Sequence, residues 1–154
     1  MIVEPYQDAY AEAIAKIIRR NLLEVNTEDY DLEEMTEFAK GFRPQDIIRL
    51  NLDRDTLVVT EDSQVLATGS IRQVVGTADF MVWTMFVDPD HHRHGIGSMI
   101  MAGLEAIARE KDCQRLIVPS SITAAQFYEA LNYSYSGGKP VLDDDKLYRM
   151  EKVL

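Results

Sequence analysis

One α/β domain, in which a mixed and mostly antiparallel central sheet is flanked by helices, is the fold class this sequence predicts. Three observations carry that prediction. The segments run strand, helices, three antiparallel strands, helix, strand, helix and two strands. Phe80–Val87 is apolar on both alternating faces, as a strand covered on two sides in mid-sheet requires. The chain has 154 residues, 46% of them hydrophobic, enough to bury one real core and suited to a domain spanning 1–154. No internal repeat, linker or low-complexity stretch divides it.

Each element has a local reason. Ile2-Val3-Glu4-Pro5 reads as a short first strand. Asp8 is placed to cap a helix carrying Ala13, Ile14, Ile17, Ile18 and Leu22 on one face. Asn26–Asp31 is a polar break, and Leu32–Phe42 and Pro44–Leu52 read as further short helices, with Pro44 in a first turn where its missing amide costs nothing. Thr56–Thr60 and Val65–Ile71 form a hairpin turning at Asp62-Ser63, and Gly76-Thr77 turns the chain again. Strict alternation along the next strand predicts Met81, Trp83, Met85 and Val87 on one face, and Phe80, Val82, Thr84 and Phe86 on the other. Asp88-Pro89-Asp90 ends it. Ile96, Ile100, Gly103, Leu104, Ile107 and Ala108 then recur at helical steps. Leu116–Val118 is a short buried strand ending at Pro119. Ser120–Leu131 holds a turn and a helix with Phe127 and Leu131 inward, and Tyr133–Tyr135 and Leu147–Val153 are the last strands.

Composition narrows the function. A net charge of -10 argues against a nucleic-acid partner, whose phosphates need clustered Lys and Arg, and favours cationic ligands such as amines. No apolar run approaches the ~20 residues of a membrane span, and the amino terminus does not read as a signal peptide. A single cysteine, Cys113, cannot form an internal disulfide, so a cytoplasmic location and a structural thiol are expected. His91, His92 and His94 invite a metal reading, but no Cys or carboxylate completes a site, and no metal is expected.

Chemistry concentrates after the central strand. His91-His92-Arg93-His94-Gly95-Ile96-Gly97-Ser98 is a glycine turn opening a helix. The first turn of a helix offers amides without partners and a positive dipole end, and glycines bring that backbone close to an anion. A diphosphate suits such a site, each amide contributing about 1.5–3 kcal/mol. The turn lacks the Gly-Lys-Ser/Thr ending of an NTP loop and the third glycine of a dinucleotide fingerprint.

Val87-Asp88-Pro89-Asp90 followed by His92-Arg93-His94-Gly95-Ile96-Gly97 resembles the acyl-CoA motif Gln/Arg-x-x-Gly-x-Gly/Ala of the GNAT superfamily of N-acetyltransferases. Ala124-Ala125-Gln126-Phe127-Tyr128-Glu129-Ala130-Leu131-Asn132-Tyr133, about thirty residues on, is similar to the family's Ala-x-x-Phe-Tyr-x-x-x-Gly-Phe segment. The resemblance implies a GNAT-like fold and transfer of an acetyl group from acetyl-CoA to a primary amine of a small molecule or peptide by direct attack on the thioester.

It also assigns roles. The acyl carbonyl and pantetheine would lie along Met85, Phe86 and Val87. The diphosphate would meet the amides of Arg93, His94, Gly95, Ile96, Gly97 and Ser98. His92, Ser121, Ala124, Phe127 and Tyr128 are the further cofactor contacts, and Tyr128 matches the general acid. Glu28, Asp29, Tyr30 and Glu34 in the region between the first two strands, with Trp83, Thr84 and Asp79, are the acceptor-side candidates. A solvated loop is the plainer reading of the first four, whereas walling the acceptor pocket and packing in the core are equal readings of Trp83 and Met85. His92 replaces Gln or Arg, Ser121 replaces a pantetheine-binding asparagine, and Asn132 replaces a glycine. No acid stands in Val82-Trp83-Thr84, where members often carry a glutamate base. Asp79, or a water held by backbone carbonyls, is the substitute. A protonated alkyl amine near pKa ~10.4 needs that base, because only about one molecule in a thousand is neutral at pH 7. A non-catalytic CoA-binding regulatory module is the alternative function, and a homodimer is admitted as an assembly.

Overall fold

The computed structural model describes residues 1–154. Its strands are β1 Ile2–Pro5, β2 Asp55–Glu61, β3 Gln64–Gln73, β4 Asp79–Val87, β5 Arg115–Ser120, β6 Ser134–Tyr135 and β7 Tyr148–Val153. The helices are α1 Ala11–Arg20, α2 Leu32–Ala39, α3 Pro44–Leu50, α4 Ile96–Glu110 and α5 Ala125–Ala130. One seven-stranded sheet runs β1-β2-β3-β4-β5-β7-β6. Every neighbouring pair is antiparallel except β4 with β5. The predicted α/β class and segment order hold.

Helices cover both faces. Ile100, Leu104 and Ala108 of α4 cover Leu57, Val59, Ala67, Ile71, Phe80 and Val82, and Ala125 and Tyr128 of α5 join the same core. On the opposite face Ile14 and Ile18 of α1 and Ile47 of α3 lie over Val58 and Val65. The strands alternate between the two cores because successive side chains point to opposite faces. Truncating a fully buried residue such as Leu104 to Ala would cost about 2–5 kcal/mol. Cys113 is buried, its thiol donates to the Arg115 carbonyl at 3.2 Å, and burial pushes its pKa up, as a structural thiol requires.

Local chemistry explains most boundaries. Asp62 and Ser63 both take positive φ, 50° and 66°, the turn whose twist matches a hairpin. Asp31 caps α2 by accepting from the Glu34 amide at 3.1 Å. At α3 the Asp46 carboxylate accepts from the Arg43 amide at 2.9 Å and from its guanidinium at 2.8 Å, with Pro44 just inside.

Several expectations need correction. Asp8 does not cap α1: a 3₁₀ turn over Asp8–Tyr10 precedes it, so Asp8 stands too far upstream to reach the first free amides. The helix after the polar break stops at Ala39 rather than Phe42, because Lys40, Gly41 and Phe42 close into turn bonds. β5 continues through Pro119, opposite Arg149 on β7. In α5 the fully buried side chain is Tyr128, with Phe127 and Leu131 half-buried against the core.

The largest correction concerns β4. Ser70 pairs with Trp83 and Thr68 with Phe86, so Gly69 alone faces both Thr84 and Met85. That extra residue is a β-bulge, and it flips every side chain after it. Phe80 and Val82 face α4 before the bulge, Met85 and Val87 face it afterwards, and Phe86 turns to the α1 side. Met85 and Val87 therefore do not share a face with Trp83, as unbroken alternation predicts. Nor is β4 buried on both sides throughout, since Trp83 is 39% exposed.

Candidate active site

β4 and β5 pair only from Asp79–Met81 to Arg115–Ile117. Beyond that point β4 follows β3 and β5 follows β7, so the two central strands part. The gap opens where the bulge sits and where the next loop delivers the start of α4. Thr84 holds φ +46°, a costly conformation for a β-branched residue, and so marks a site the surrounding fold over-determines. A hydroxyl chain leads to it. Thr56 Oγ1 donates to Asn51 Oδ1, lies 2.7 Å from Ser70 Oγ, and Ser70 Oγ is 3.4 Å from Thr84 Oγ1. Asn51 gives its own amide protons to Ile47 O at 2.8 Å, which leaves its oxygen for Thr56.

The glycine turn leaves its backbone amides free, the arrangement that can receive an anion. From His92 through Ser98 no backbone amide donates a hydrogen bond to the protein's own main chain, and the next donor is Met99 to Gly95 O at 3.2 Å. Arg93 and Gly95 take positive φ, 64° and 77°, which curls the turn ahead of α4. A Cβ at Gly95 would meet nothing within 4 Å, so only its backbone conformation demands glycine. Gly97 answers a different need. A Cβ there would stand 3.0 Å from the Phe127 ring and 3.4 Å from Met85 Cε. Three predicted site segments, after the bulge, at the α4 start and on α5, therefore meet at Gly97.

Side chains brace the cradle from outside. Arg20 at the end of α1 reaches Glu24 at 2.8 Å, Asp88 at 3.2 Å and Asp90 at 3.1 Å. Glu24 and Asp90 raise the Arg20 pKa, and Arg20 in turn lowers that of Asp90. After Arg20 the chain makes a π-helical turn over Asn21–Val25, where Asn21 Nδ2 donates to Val87 O at 2.8 Å. The same carbonyl accepts from His92 Nε2 at 2.8 Å. His92 thus spends its Nε2 proton on the strand end, which accounts for histidine where the motif favours Gln or Arg. The three histidines do not converge: His94 Nδ1 contacts His91 O at 3.1 Å, and no metal-binding group of three acids, histidines or cysteines forms.

Tyr128 lies against Phe127 and Tyr133, ring centroids 5.0 and 5.8 Å away. Burial alone lifts its phenol pKa well above the ordinary value. Ser121 turns inward, its Oγ accepting from the Ala124 amide at 3.1 Å, so this hydroxyl shapes the turn into α5. Tyr30 clasps three segments: its hydroxyl donates to Lys146 O at 2.6 Å and accepts from the Ile122 amide at 2.9 Å. Lys146 also pairs with Glu34 at 3.1 Å. Trp83 and Thr84 stand on the face toward α1 and α3, Trp83 half-exposed.

Other candidates are not gathered. Asp79 begins β4, five residues before Thr84 and so ~16 Å along the strand, which leaves it remote from the bulge. Glu28 and Asp29 are exposed. Surface recesses beside Glu151 and beside Tyr10 lie apart from the gap between β4 and β5.

A family model described as the acetyltransferase (GNAT) family matches residues 15–133. The chain belongs to the GNAT family. It is thus an acetyltransferase, an acyltransferase of the class that uses acetyl-CoA. No curated protein sequence matches it. Among solved structures it resembles a GCN5-related N-acetyltransferase from Rhodopseudomonas palustris at 20% identity and TM-score 0.83, over 99% of this chain and 95% of that one. It also resembles the PaiA N-acetyltransferase from Thermoplasma acidophilum, solved with coenzyme A, at 15% identity and TM-score 0.80 over the whole of both chains. A ribosomal-protein-alanine N-acetyltransferase from Brucella melitensis matches at 20% identity and TM-score 0.69, again over the whole of both. At such identities the likeness establishes the GNAT fold. No helix is long and apolar enough to cross a membrane.

Two features around the bulge leave little trace in the sequence. One is the Asn51–Thr56–Ser70–Thr84 chain, whose only trace is small polar residues within apolar strands. The other is Arg54, whose side chain is 8% exposed and stacks 5.8 Å over the Trp83 ring.

Proposed function

We propose that this chain, as one N-acetyltransferase domain over 1–154, transfers an acetyl group from acetyl-CoA to a primary amine of a small molecule or peptide. The observation that carries the proposal is the run of unpaired main-chain donors from His92 to Ser98 at the mouth of the parted strands. A diphosphate fits this cradle by chemistry, because several amides and a helix dipole converge on one anion without basic side chains. Arg93, His94, Gly95, Ile96, Gly97 and Ser98 would hold it. Acetyl-CoA supplies the activated acyl group as a thioester.

The remaining steps belong to the protein. Met85, freed from strict pairing by the bulge, presents the edge of β4 to the acyl carbonyl, a donor placed where negative charge develops. Met85, Gly97 and Phe127 exclude water around it. Tyr128, protonated throughout the working range because burial raises its pKa, donates toward the departing thiolate. Tyr30 and Trp83 border the acceptor side. No acid stands at Val82-Trp83-Thr84, and Asp79 is remote. Removal of the amine proton therefore falls to water bound at backbone carbonyls near the bulge.

Thiol release from acetyl-CoA across a panel of amines tests the reaction, and Tyr128→Phe tests the donor. The variant should lose ~10²-fold or more in kcat while acetyl-CoA affinity stays nearly constant. Unchanged turnover removes Tyr128 from the mechanism. Saturable acetyl-CoA binding without turnover on any amine establishes the CoA-binding regulatory module instead.

A further inference from the structure

The acceptor face holds a positive site that acetyl transfer does not explain. Thr56, Ser70 and Trp83 stand side by side across β2, β3 and β4, on the face opposite Leu57, Ile71 and Val82. Arg54, just before β2, joins that face by stacking 5.8 Å over the Trp83 ring. Its side chain is 8% exposed, yet its Nε is buried without a hydrogen-bond partner. The nearest carboxylate oxygen, Asp53 Oδ1, is 3.6 Å from it, and Asp53 Oδ2 already pairs with Arg72 at 3.2 Å. Two guanidinium groups therefore share one carboxylate, within a chain of net charge -10. Burial lowers the Arg54 pKa, so the fold carries an incompletely compensated cation. Trp83, the neighbour of Thr84 at the bulge, is its floor.

We propose that Arg54, with Arg72 and Trp83, forms a carboxylate subsite on the acceptor face, so that the preferred acceptor is an amine that also carries a carboxylate. The guanidinium fork matches a carboxylate in plane and takes it by paired hydrogen bonds, which satisfies the idle Nε. Thr84 marks the end of the face where the amine reacts, and Arg54 the end that holds the acid. The inference rests on the acetyltransferase reading for its reaction, but the subsite is testable by binding alone.

Trp83 is the single tryptophan, so its fluorescence reports this site without ambiguity. Aminohexanoate, hexylamine and hexanediamine share one amine and differ only at the far end. Titrated into the wild-type protein, aminohexanoate should quench or shift Trp83 saturably, with affinity about ten-fold or more above either partner, as suits hydrogen bonds to a charged group. Arg54→Met should erase that preference, and Arg54→Lys should retain a fraction, since the charge survives without the fork. The order of kcat/KM among the probes should follow the order of binding. Equal responses to the three probes, a tighter diamine, or a preference that persists in folded Arg54→Met would each overturn the subsite. The wild-type comparison decides even where a variant fails to fold. Turnover of all three probes at equal efficiency would sink the subsite and leave acetyl transfer standing. A carboxylate preference without thiol release from any amine would do the reverse.

Discussion

Gly95 and Gly76 offer a controlled pair for testing the proposed diphosphate cradle. Both take nearly the same positive φ, 77° and 78°, and a Cβ at either would meet nothing within 4 Å. Alanine at each position therefore adds backbone strain and no clash, about 1–2 kcal/mol for an L residue in the left-handed region. Gly76 sits in the β3–β4 turn, remote from the cradle, so its cost falls on stability alone. In a domain of this size that is about 2–4 °C in Tm per kcal/mol. Gly95 precedes α4, and its cost has two possible destinations. If the loop keeps its shape, Tm falls as for Gly76→Ala. If the loop relaxes in the free protein, ligand must restore it, and the acetyl-CoA Kd rises about 5- to 30-fold. The assay is calorimetric titration with acetyl-CoA beside thermal denaturation of both variants. Gly76→Ala should bind as the wild type does. The reasoning is refuted if Gly95→Ala changes neither Tm nor Kd, or if Gly76→Ala weakens binding as much as Gly95→Ala.

Two further expectations are open to direct measurement. Tyr30→Phe deprives the Ile122 amide and the Lys146 carbonyl of their shared partner. The acceptor KM should rise several-fold with acetyl-CoA affinity nearly constant, and a CoA defect of equal size would contradict the placement of Tyr30 on the acceptor side. Asp46 has its carboxyl pKa lowered to about 2 by the Arg43 side chain and then the Arg43 amide. A depressed folded pKa contributes stability above the unfolded value and loses it as pH falls, so the window is from about 4 to about 2. Asp46→Asn should lower Tm at pH 6 and flatten the acid limb in that window. An unchanged limb would show that the Asp46–Arg43 contact carries no pH dependence.

The fold was largely legible because its signals are local and mutually consistent. Apolar periodicity marked β2, β3 and α4, and the Asp62-Ser63 and Gly76 turns were written in turn-forming residues. The cradle was legible for the same reason, since Gly95 and Gly97 answer backbone demands that few other residues meet. Face assignment along β4 failed because Phe80–Val87 alternates without a flaw, and the bulge arises from pairing with Gly69 on another strand. Gly69 itself makes room there: a Cβ would stand 2.6 Å from Ile100 and 2.9 Å from Met85. Asp79 was placed by proximity in sequence to the reactive stretch, whereas a strand spends ~3.3 Å on every residue. Arg54 was invisible because its interest lies in what it lacks, a partner for Nε, which only three dimensions reveal.

A single oxygen joins the two halves of this site. The Val87 carbonyl has two lone pairs and uses both, one for Asn21 beyond α1 and one for His92 in the glycine turn. The π-helical turn after α1 and the glycine turn before α4 are thereby hinged on one atom at the end of β4. Displacement of either turn strains a carbonyl that the other turn also holds. On the proposed reaction, loading one substrate would thereby bear on admitting the next.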